Sequence, residues 1–278
     1  MMALIKVIRP INSVMMGFSV CLSEFIALRS FPSNSLMIHG FLTGFSLTGA
    51  SMVINDIYDY EVDLINAPKR PIPSGILKIK EAWIYGLTLS LLGIISAYMI
   101  NQYCLIIALT SFVISILYNV HFKKYGLIGN FMVSFCVAMP FIFGAYAVGG
   151  GSKILLTFSI TAFLVNTSRE VIKGIADVEG DIKRQVKTVA IEYGIKTART
   201  VAILLFILAI IAAIVPIIFK WVSWLYVPII MLSLIGLSYE ILSLLNEINR
   251  EKAIKIKNRL LLYMFLALIA MFTGGYYE

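Results

Sequence analysis

The sequence predicts an all-α integral membrane protein with nine transmembrane helices, and three observations support this. First, 60% of the 278 residues are apolar, 14% are charged and the mean hydropathy is +0.91, whereas soluble domains are about half apolar and about one quarter charged. Second, the apolar residues fall into nine runs of roughly the 20 residues needed to cross the hydrocarbon layer. Third, basic residues are distributed unevenly between alternate loops. This composition excludes a soluble enzyme and intrinsic disorder.

The nine runs define the predicted helices in chain order. Glu24 interrupts the first run, which ends at Arg29 without a small-residue cleavage site, so we predict a retained helix rather than a signal peptide. The predicted spans are 11–29, 35–54, 82–100, 103–120, 127–148, 154–172, 200–219, 222–242 and 260–275.

The connections alternate between short and long, and the basic residues follow the long ones. Of the 23 lysines and arginines, only Arg29, Lys153 and Lys220 lie on the side of the short connections. The positive-inside rule therefore places the N-terminus and the long loops in the cytoplasm and the C-terminus outside, in a multi-pass protein of the cell membrane. The net charge of +8 fits loops that face anionic membrane lipids and requires no nucleic acid. The long loops are 55–81, 121–126, 173–199 and 243–259.

Two clusters of carboxylates lie at the predicted cytoplasmic ends of even-numbered spans. Asp56, Asp59 and Asp63 are spaced i, i+3 and i+7, and Asp177 and Asp181 are spaced i and i+4. If the helices continue into the loops, each set lies on one helical face, where like charges repel unless a cation lies between them. Mg²⁺ suits such sites, because it binds one or two carboxylates together with waters and phosphate oxygens.

Two alternatives remain open on the acidic residues alone. The first is solvated loop charge, with Lys173 pairing with Asp177 as an ordinary helical neighbour. The second is a cation-coupled transporter, although transporters usually carry ionisable groups near the bilayer midplane. Glu24 and Glu240 are predicted near the ends of their spans, with Glu24 within reach of Arg29.

The two clusters resemble the aspartate-rich motifs of the UbiA superfamily of intramembrane prenyltransferases. Asn55-Asp-x-x-Asp-x-x-x-Asp63 is similar to the first motif, and Asp177-x-x-Gly-Asp181 followed by Thr188 is similar to the second. The resemblance covers nearly the whole chain, which we interpret as a single domain (1–278) with motifs at 55–63 and 177–181. It implies nine helices around a central cavity, beneath a cytoplasmic cap of loops.

The resemblance also implies a Mg²⁺-dependent transfer of a prenyl group from an allylic diphosphate. Cleavage of the C–O bond leaves a carbocation and places negative charge on the diphosphate, which metal ions neutralise. Asn55 would add a neutral ligand or orient a carboxylate. The carboxylates implied as metal ligands are Asp56, Asp59, Asp63, Asp177 and Asp181.

Basic and aromatic residues near the motifs are further candidates. Arg70 lies in a segment that resembles the family's arginine-containing loop, and a planar guanidinium can clamp phosphate oxygens. Tyr118 could face the carbocation, which an aromatic ring stabilises. Anchoring at the membrane surface is the alternative for each cation and for Tyr118. The candidate contacts to the diphosphate and the headgroup are Asn12, Asn55, Arg70, Lys123, Lys124, Arg169 and Lys173.

The motifs do not fix the acceptor, because they bind the donor. The segment from Tyr118 to Asn130 resembles archaeal members that transfer a geranylgeranyl group to geranylgeranylglyceryl phosphate, forming the second ether bond of their membrane lipids. We predict this lipid-like acceptor. Prenylation of an aromatic acceptor, in a quinone or haem type of pathway, is the alternative.

Overall fold

The computed structural model describes residues 2–183 and 185–275, apart from the side chains of Asn66 and Lys183. Every regular element within these residues is helical. The nine longest helices of this part of the chain are α1 (Pro10–Leu28), α2 (Asn34–Tyr58), α3 (Ile79–Ile100), α4 (Gln102–Val120), α5 (Gly126–Ala147), α6 (Lys153–Ala176), α7 (Gly194–Ile218), α8 (Tyr226–Leu245) and α9 (Arg250–Gly275). The shorter ones are Met2–Val7, Tyr60–Asn66, the 3₁₀ turn Phe122–Lys124, Val178–Lys183 and Val189–Glu192.

Eight of the nine long helices in the described residues are long and apolar enough to cross a membrane, which confirms a multi-pass α-helical membrane protein. The exception is α6, which carries a buried polar stretch. Asn166 donates a hydrogen bond to Ser134 Oγ at 3.0 Å, and Ser168 donates to the Ala202 carbonyl at 3.2 Å. The predicted sixth span is therefore a long helix whose Asn166 and Ser168 side chains form hydrogen bonds inside the protein.

The first of two compact units comprises Met1–His121 and Met139–Gly151. Within it α2 packs against α1, α3 and α4. Its core includes Val7 of the short N-terminal helix and Val53 of α2, which are 1% and 0% exposed. Ile72 and Leu77, from the loop that follows the first aspartate motif, are buried in the same core. The middle and the end of this loop are therefore anchored by apolar packing.

The second unit comprises Phe122–Ala138 and Ser152–Glu278. Here α6 packs against α7 and α9, and α8 packs against α7 and α9. Glu240 of α8 is fully buried and accepts two hydrogen bonds from Arg259 of α9, at 2.5 and 2.7 Å, and one from Tyr263 at 3.2 Å. The acid predicted at the edge of its span is therefore a buried partner in an ion pair between helices.

Glu24 of α1, the other acid predicted near the end of a span, is also buried. Its side chain is fully buried in the first unit, and neither carboxylate oxygen has a hydrogen-bond partner among the described residues. One oxygen lies directly against Gly40 of α2, where a Cβ would collide with it. Although the sequence placed Glu24 within reach of Arg29, the described contacts of Glu24 do not include Arg29.

Candidate active site

The first motif is split between two helices. Helix α2 continues past the predicted end of its span to Tyr58, and Asp59 (φ −84°, ψ 3°) separates it from the helix Tyr60–Asn66, so the helix does not run unbroken through the motif. The break is small, because the Asp63 amide still donates to the Asp59 carbonyl at 2.8 Å. The Asn55 side chain donates to Asp59 Oδ2 at 3.0 Å and so orients that carboxylate, one of the two roles predicted for it.

Two arginines neutralise the two most buried carboxylates of this motif. The side chains of Asp56 and Asp63 are 4% and 7% exposed. Arg70 Nη1 lies 2.5 Å from Asp63 Oδ2 and 3.6 Å from Asp56 Oδ1, while Arg9 Nη2 donates to Asp56 Oδ1 at 2.9 Å. Asp56 and Asp63 are therefore brought together around Arg70, as their spacing predicted.

Arg9 is held in an unusual backbone conformation. It lies between the helix Met2–Val7 and Pro10, with φ 48° and ψ 71°, in the left-handed region that non-glycine residues rarely occupy. Val7 and Ile8 on its N-terminal side are 1% and 5% exposed, which fixes the chain entering it. Asn12, a predicted substrate contact, is exposed in the first turn of α1, and no bond between its side chain and the motif is described.

Tyr118 lies half-buried near the end of α4, in the same unit as the first motif. The residues around it link α4 to α2 just before the motif begins. Asn119 donates to the Ser51 carbonyl at 3.4 Å, and the hydroxyls of Ser51 and Ser115 share a hydrogen bond. These polar contacts fix the end of α4 relative to the helix that carries Asp56.

The second motif repeats the geometry of the first. Helix α6 ends at Ala176, and Asp177 (φ −107°, ψ 11°) separates it from the helix Val178–Lys183, which carries Asp181. The Asp181 amide donates to the Asp177 carbonyl at 2.9 Å, and both side chains are half-buried. In each motif, therefore, an aspartate occupies the junction between a long helix and a short one.

Glu170 is a residue that the sequence interpretation missed. Its carboxylate, 10% exposed, lies 2.9 Å from Arg169 Nη1 and 3.0 Å from Lys173 Nζ. Lys173 thus pairs with Glu170, whereas the solvated-charge alternative paired it with Asp177. Within the described part of the chain, the Arg169 Nε is buried and has no hydrogen-bond partner. The i, i+3 spacing of Glu170 and Lys173 was the available signal.

Lys123 and Lys124 occupy the 3₁₀ turn before α5. Lys123 is half-buried, and Lys124 is exposed with its ammonium 5.6 Å from the Tyr125 ring centroid. The Lys124 carbonyl accepts a hydrogen bond from the Lys187 amide at 2.9 Å, which ties this turn to the segment after the second motif. Gly126 follows with φ +39°, and a Cβ there would meet the Lys187 carbonyl.

The donor set of the first motif fits a hard cation. Among the described residues, no three histidine, cysteine, aspartate or glutamate side chains are gathered as a ready metal cluster. The carboxylates of Asp56 and Asp63 and the oriented carboxylate of Asp59 nevertheless offer the oxygen donors that Mg²⁺ prefers. Arg9 and Arg70 show that this site already accommodates positive charge against those oxygens.

Comparison with known proteins identifies relatives over nearly the full chain. The model of the UbiA prenyltransferase family matches residues 16–271. The digeranylgeranylglyceryl phosphate synthase of Thermococcus sibiricus is 33% identical over 98% of this chain and 96% of its own length. The synthase of the same name from Methanosarcina mazei is 34% identical over 97% of each chain.

Solved structures have the same fold. A structure reported for digeranylgeranylglyceryl phosphate synthase in membranes matches with a TM-score of 0.87, at 32% identity over 99% of this chain and 98% of that one. A UbiA homolog from Archaeoglobus fulgidus bound to GPP and Mg²⁺ matches with a TM-score of 0.71 at 17% identity, over 97% and 99% of the two chains. At this level of identity, the second match shows only that the two proteins share a fold.

Proposed function

The chain belongs to the UbiA prenyltransferase family, and from that premise we propose that it transfers a geranylgeranyl group from geranylgeranyl diphosphate to geranylgeranylglyceryl phosphate. The reaction forms the second ether bond of archaeal membrane lipids. The near full-length similarity to relatives named digeranylgeranylglyceryl phosphate synthase supports this acceptor over the aromatic one. The observation that carries the proposal is the first motif itself, where two nearly buried carboxylates pair with two guanidiniums, the groups that would bind a metal and a diphosphate.

The reaction breaks the allylic C–O bond of the donor, forms a C–O bond to the acceptor hydroxyl and releases that hydroxyl's proton. Bound Mg²⁺ supplies Lewis-acid neutralisation of the charge that develops on the departing diphosphate. We propose Asp56, Asp59, Asp63, Asp177 and Asp181 as its ligands, consistent with the Mg²⁺ and GPP bound by the homolog from Archaeoglobus fulgidus.

The protein's own side chains then bind and orient the substrates. Arg70 is proposed to clamp diphosphate oxygens with its planar guanidinium, and Asn55 to orient the carboxylate of Asp59. Tyr118 is proposed to stabilise the allylic cation through its aromatic face. The remaining proposed contacts to the diphosphate or to the acceptor headgroup are Asn12, Lys123, Lys124, Arg169 and Lys173.

The proposed topology follows from the charge distribution. We propose nine crossings formed by α1–α9 around a central cavity, with the N-terminus and the long loops in the cytoplasm and the C-terminus outside. The polar stretch of α6 is compatible with a crossing, since its Asn166 and Ser168 are bonded internally. The protein is proposed to reside in the cell membrane as a single functional domain.

Product analysis tests the activity. The full chain in detergent, given Mg²⁺ and geranylgeranyl diphosphate, should release diphosphate and form a digeranylgeranyl ether only when geranylgeranylglyceryl phosphate is present. A chelator should abolish both products, and added Mg²⁺ should restore them. Transfer to a hydroxybenzoate but not to the glyceryl phosphate would contradict the acceptor, and ion flux without product would contradict the enzyme.

A further inference from the structure

The counter-ions of the first motif are two arginines of the same chain. Arg9 and Arg70, the arginine pair, lie at 2.9 and 3.6 Å from the same oxygen, Asp56 Oδ1, and Arg70 also contacts Asp63. The arginine side chains are 37% and 38% exposed, whereas the carboxylates are nearly buried. The guanidiniums thus lie against the same carboxylate oxygens that a bound metal would use.

We propose that Arg9, together with Arg70, makes metal binding conditional on the diphosphate. The arginine pair neutralises Asp56 and Asp63 in the free enzyme, so a lone divalent cation would have to bind beside two guanidiniums. A diphosphate removes this obstacle, because its oxygens accept the guanidiniums while the carboxylates turn to the metal. This inference rests on the proposed function and adds that the arginines exchange the carboxylates for the diphosphate when the metal binds.

The backbone supports a dedicated role for Arg9. A non-glycine residue in the left-handed region is strained and persists only where the surroundings determine its conformation, often at functional sites. The residue before a proline ordinarily adopts an extended conformation, yet Arg9 precedes Pro10 with φ 48°. Buried Val7 and Ile8 before it, and the bond from the Ser13 hydroxyl to the Ile8 carbonyl at 2.7 Å, hold this turn in place.

The proposal predicts a measurable coupling between the binding of the metal and the binding of the diphosphate. If the arginine pair blocks the metal alone but not the metal with diphosphate, then each ligand raises the affinity for the other by the same factor. Removing one guanidinium removes repulsion only in the metal-alone state, so affinity for the metal alone should increase. A residue with a merely structural role would lower that affinity, or leave it unchanged, when substituted.

The test measures binding of Mn²⁺ alone to the purified full chain by electron paramagnetic resonance, with and without a non-hydrolysable geranylgeranyl diphosphate analogue. Arg9→Gln and Arg70→Gln should each bind Mn²⁺ alone about tenfold more tightly than the wild type, a gain worth about 1.4 kcal/mol. The strengthening of Mn²⁺ binding by the analogue should shrink in both. Arg9→Lys, which keeps the charge, should retain weak binding of Mn²⁺ alone.

Lys80→Gln is the matched control, since it removes an exposed positive charge from the same unit without touching the motif. It should leave Mn²⁺ affinity unchanged. If Arg9→Gln and Arg70→Gln bind Mn²⁺ alone no more tightly than the wild type, or if Lys80→Gln gains as much, the proposal is overturned. Ether formation by the wild type is measured separately, so that failure would leave the proposed function standing.

Discussion

At the scale of single residues, the chemistry depends on which charges surround each carboxylate. The repulsion between Asp56 and Asp63, which would weaken a helix by itself, is relieved here by Arg70 and Arg9. In the second motif the nearest described pairing is different, because Arg169 and Lys173 share Glu170, an acid outside the motif. The two motifs thus reach the same helix–aspartate–helix geometry with different charge partners.

Substituting the aspartates tests the metal assignment. Asp56→Ala, Asp63→Ala, Asp177→Ala and Asp181→Ala should each reduce diphosphate release below detection while the protein remains folded. Loss of a metal ligand removes stabilisation of the leaving group, whereas the arginines left behind are more than one third exposed and remain solvated. Diphosphate release and the thermal unfolding midpoint are measured together. Near-normal turnover in two or more folded variants would contradict the assignment.

How much of the site was predictable depended on the sequence distance between partners. Asp56, Asp63 and Arg70 lie within 15 positions; helical spacing indicated the aspartates, and the resemblance to the family's arginine-containing loop indicated Arg70. The bond between Arg9 and Asp56 joins residues 47 positions apart, and no periodicity reports such a contact. Glu170 lies outside both aspartate motifs, so the sequence interpretation missed it, although its i+3 neighbour Lys173 was an available signal.

At the scale of elements, apolar runs predicted where each long helix lies but not how its end is built. The second predicted span stopped at 54, whereas α2 continues to Tyr58, because a helix does not end where hydropathy falls. The breaks at Asp59 and Asp177 fall inside polar segments that carry neither Gly nor Pro at the junction. Tertiary contacts determine such breaks, and a single sequence does not contain them.

The approach of α1 to α2 depends on Gly40. A Cβ at this position would collide with the buried Glu24 carboxylate, so Gly40→Ala should lower the unfolding midpoint, at a cost of about 1–3 kcal/mol. In a Glu24→Ala background the same substitution should cost much less, because the colliding oxygen is gone. Gly86→Ala, whose nearest neighbour lies at 3.4 Å, is the control and should be tolerated. Equal costs in both backgrounds would contradict the contact.

The ion pair between α8 and α9 should respond asymmetrically to substitution. Arg259→Gln leaves Glu240 buried and unneutralised, which should cost about 3 kcal/mol of stability. Glu240→Gln leaves Arg259, whose side chain is 35% exposed, so that cost should be about 1 kcal/mol or less. Thermal unfolding of both variants in detergent measures the difference. If Glu240→Gln is the more damaging substitution, burial does not control the energetics of this pair.

At the scale of the whole molecule, composition and charge distribution were the features of the sequence that predicted most of the fold. The excess of apolar residues and the confinement of basic residues to alternate loops follow from the bilayer, which acts on the entire chain at once. Such a constraint is legible without any tertiary contact, and eight apolar spans among the described residues agree with it. The two compact units, by contrast, were not indicated by the sequence, because the division passes through α5.

The last prediction concerns which ligands protect the two motif-bearing loops from hydrogen exchange. Residues 55–81 and 173–199 carry the two aspartate motifs, and each motif lacks a ready metal cluster among the described residues. A ligand shifts a conformational equilibrium only by its differential affinity for the two states. Mg²⁺ together with a non-hydrolysable prenyl diphosphate should therefore raise hydrogen-exchange protection in both loops, and either ligand alone should raise it much less. Exchange is read by mass spectrometry on the purified chain, with residues 243–259 as the control loop. Protection that increases in the middles of the spans, or with Na⁺ alone, would contradict an enzyme that binds a metal diphosphate through these motifs.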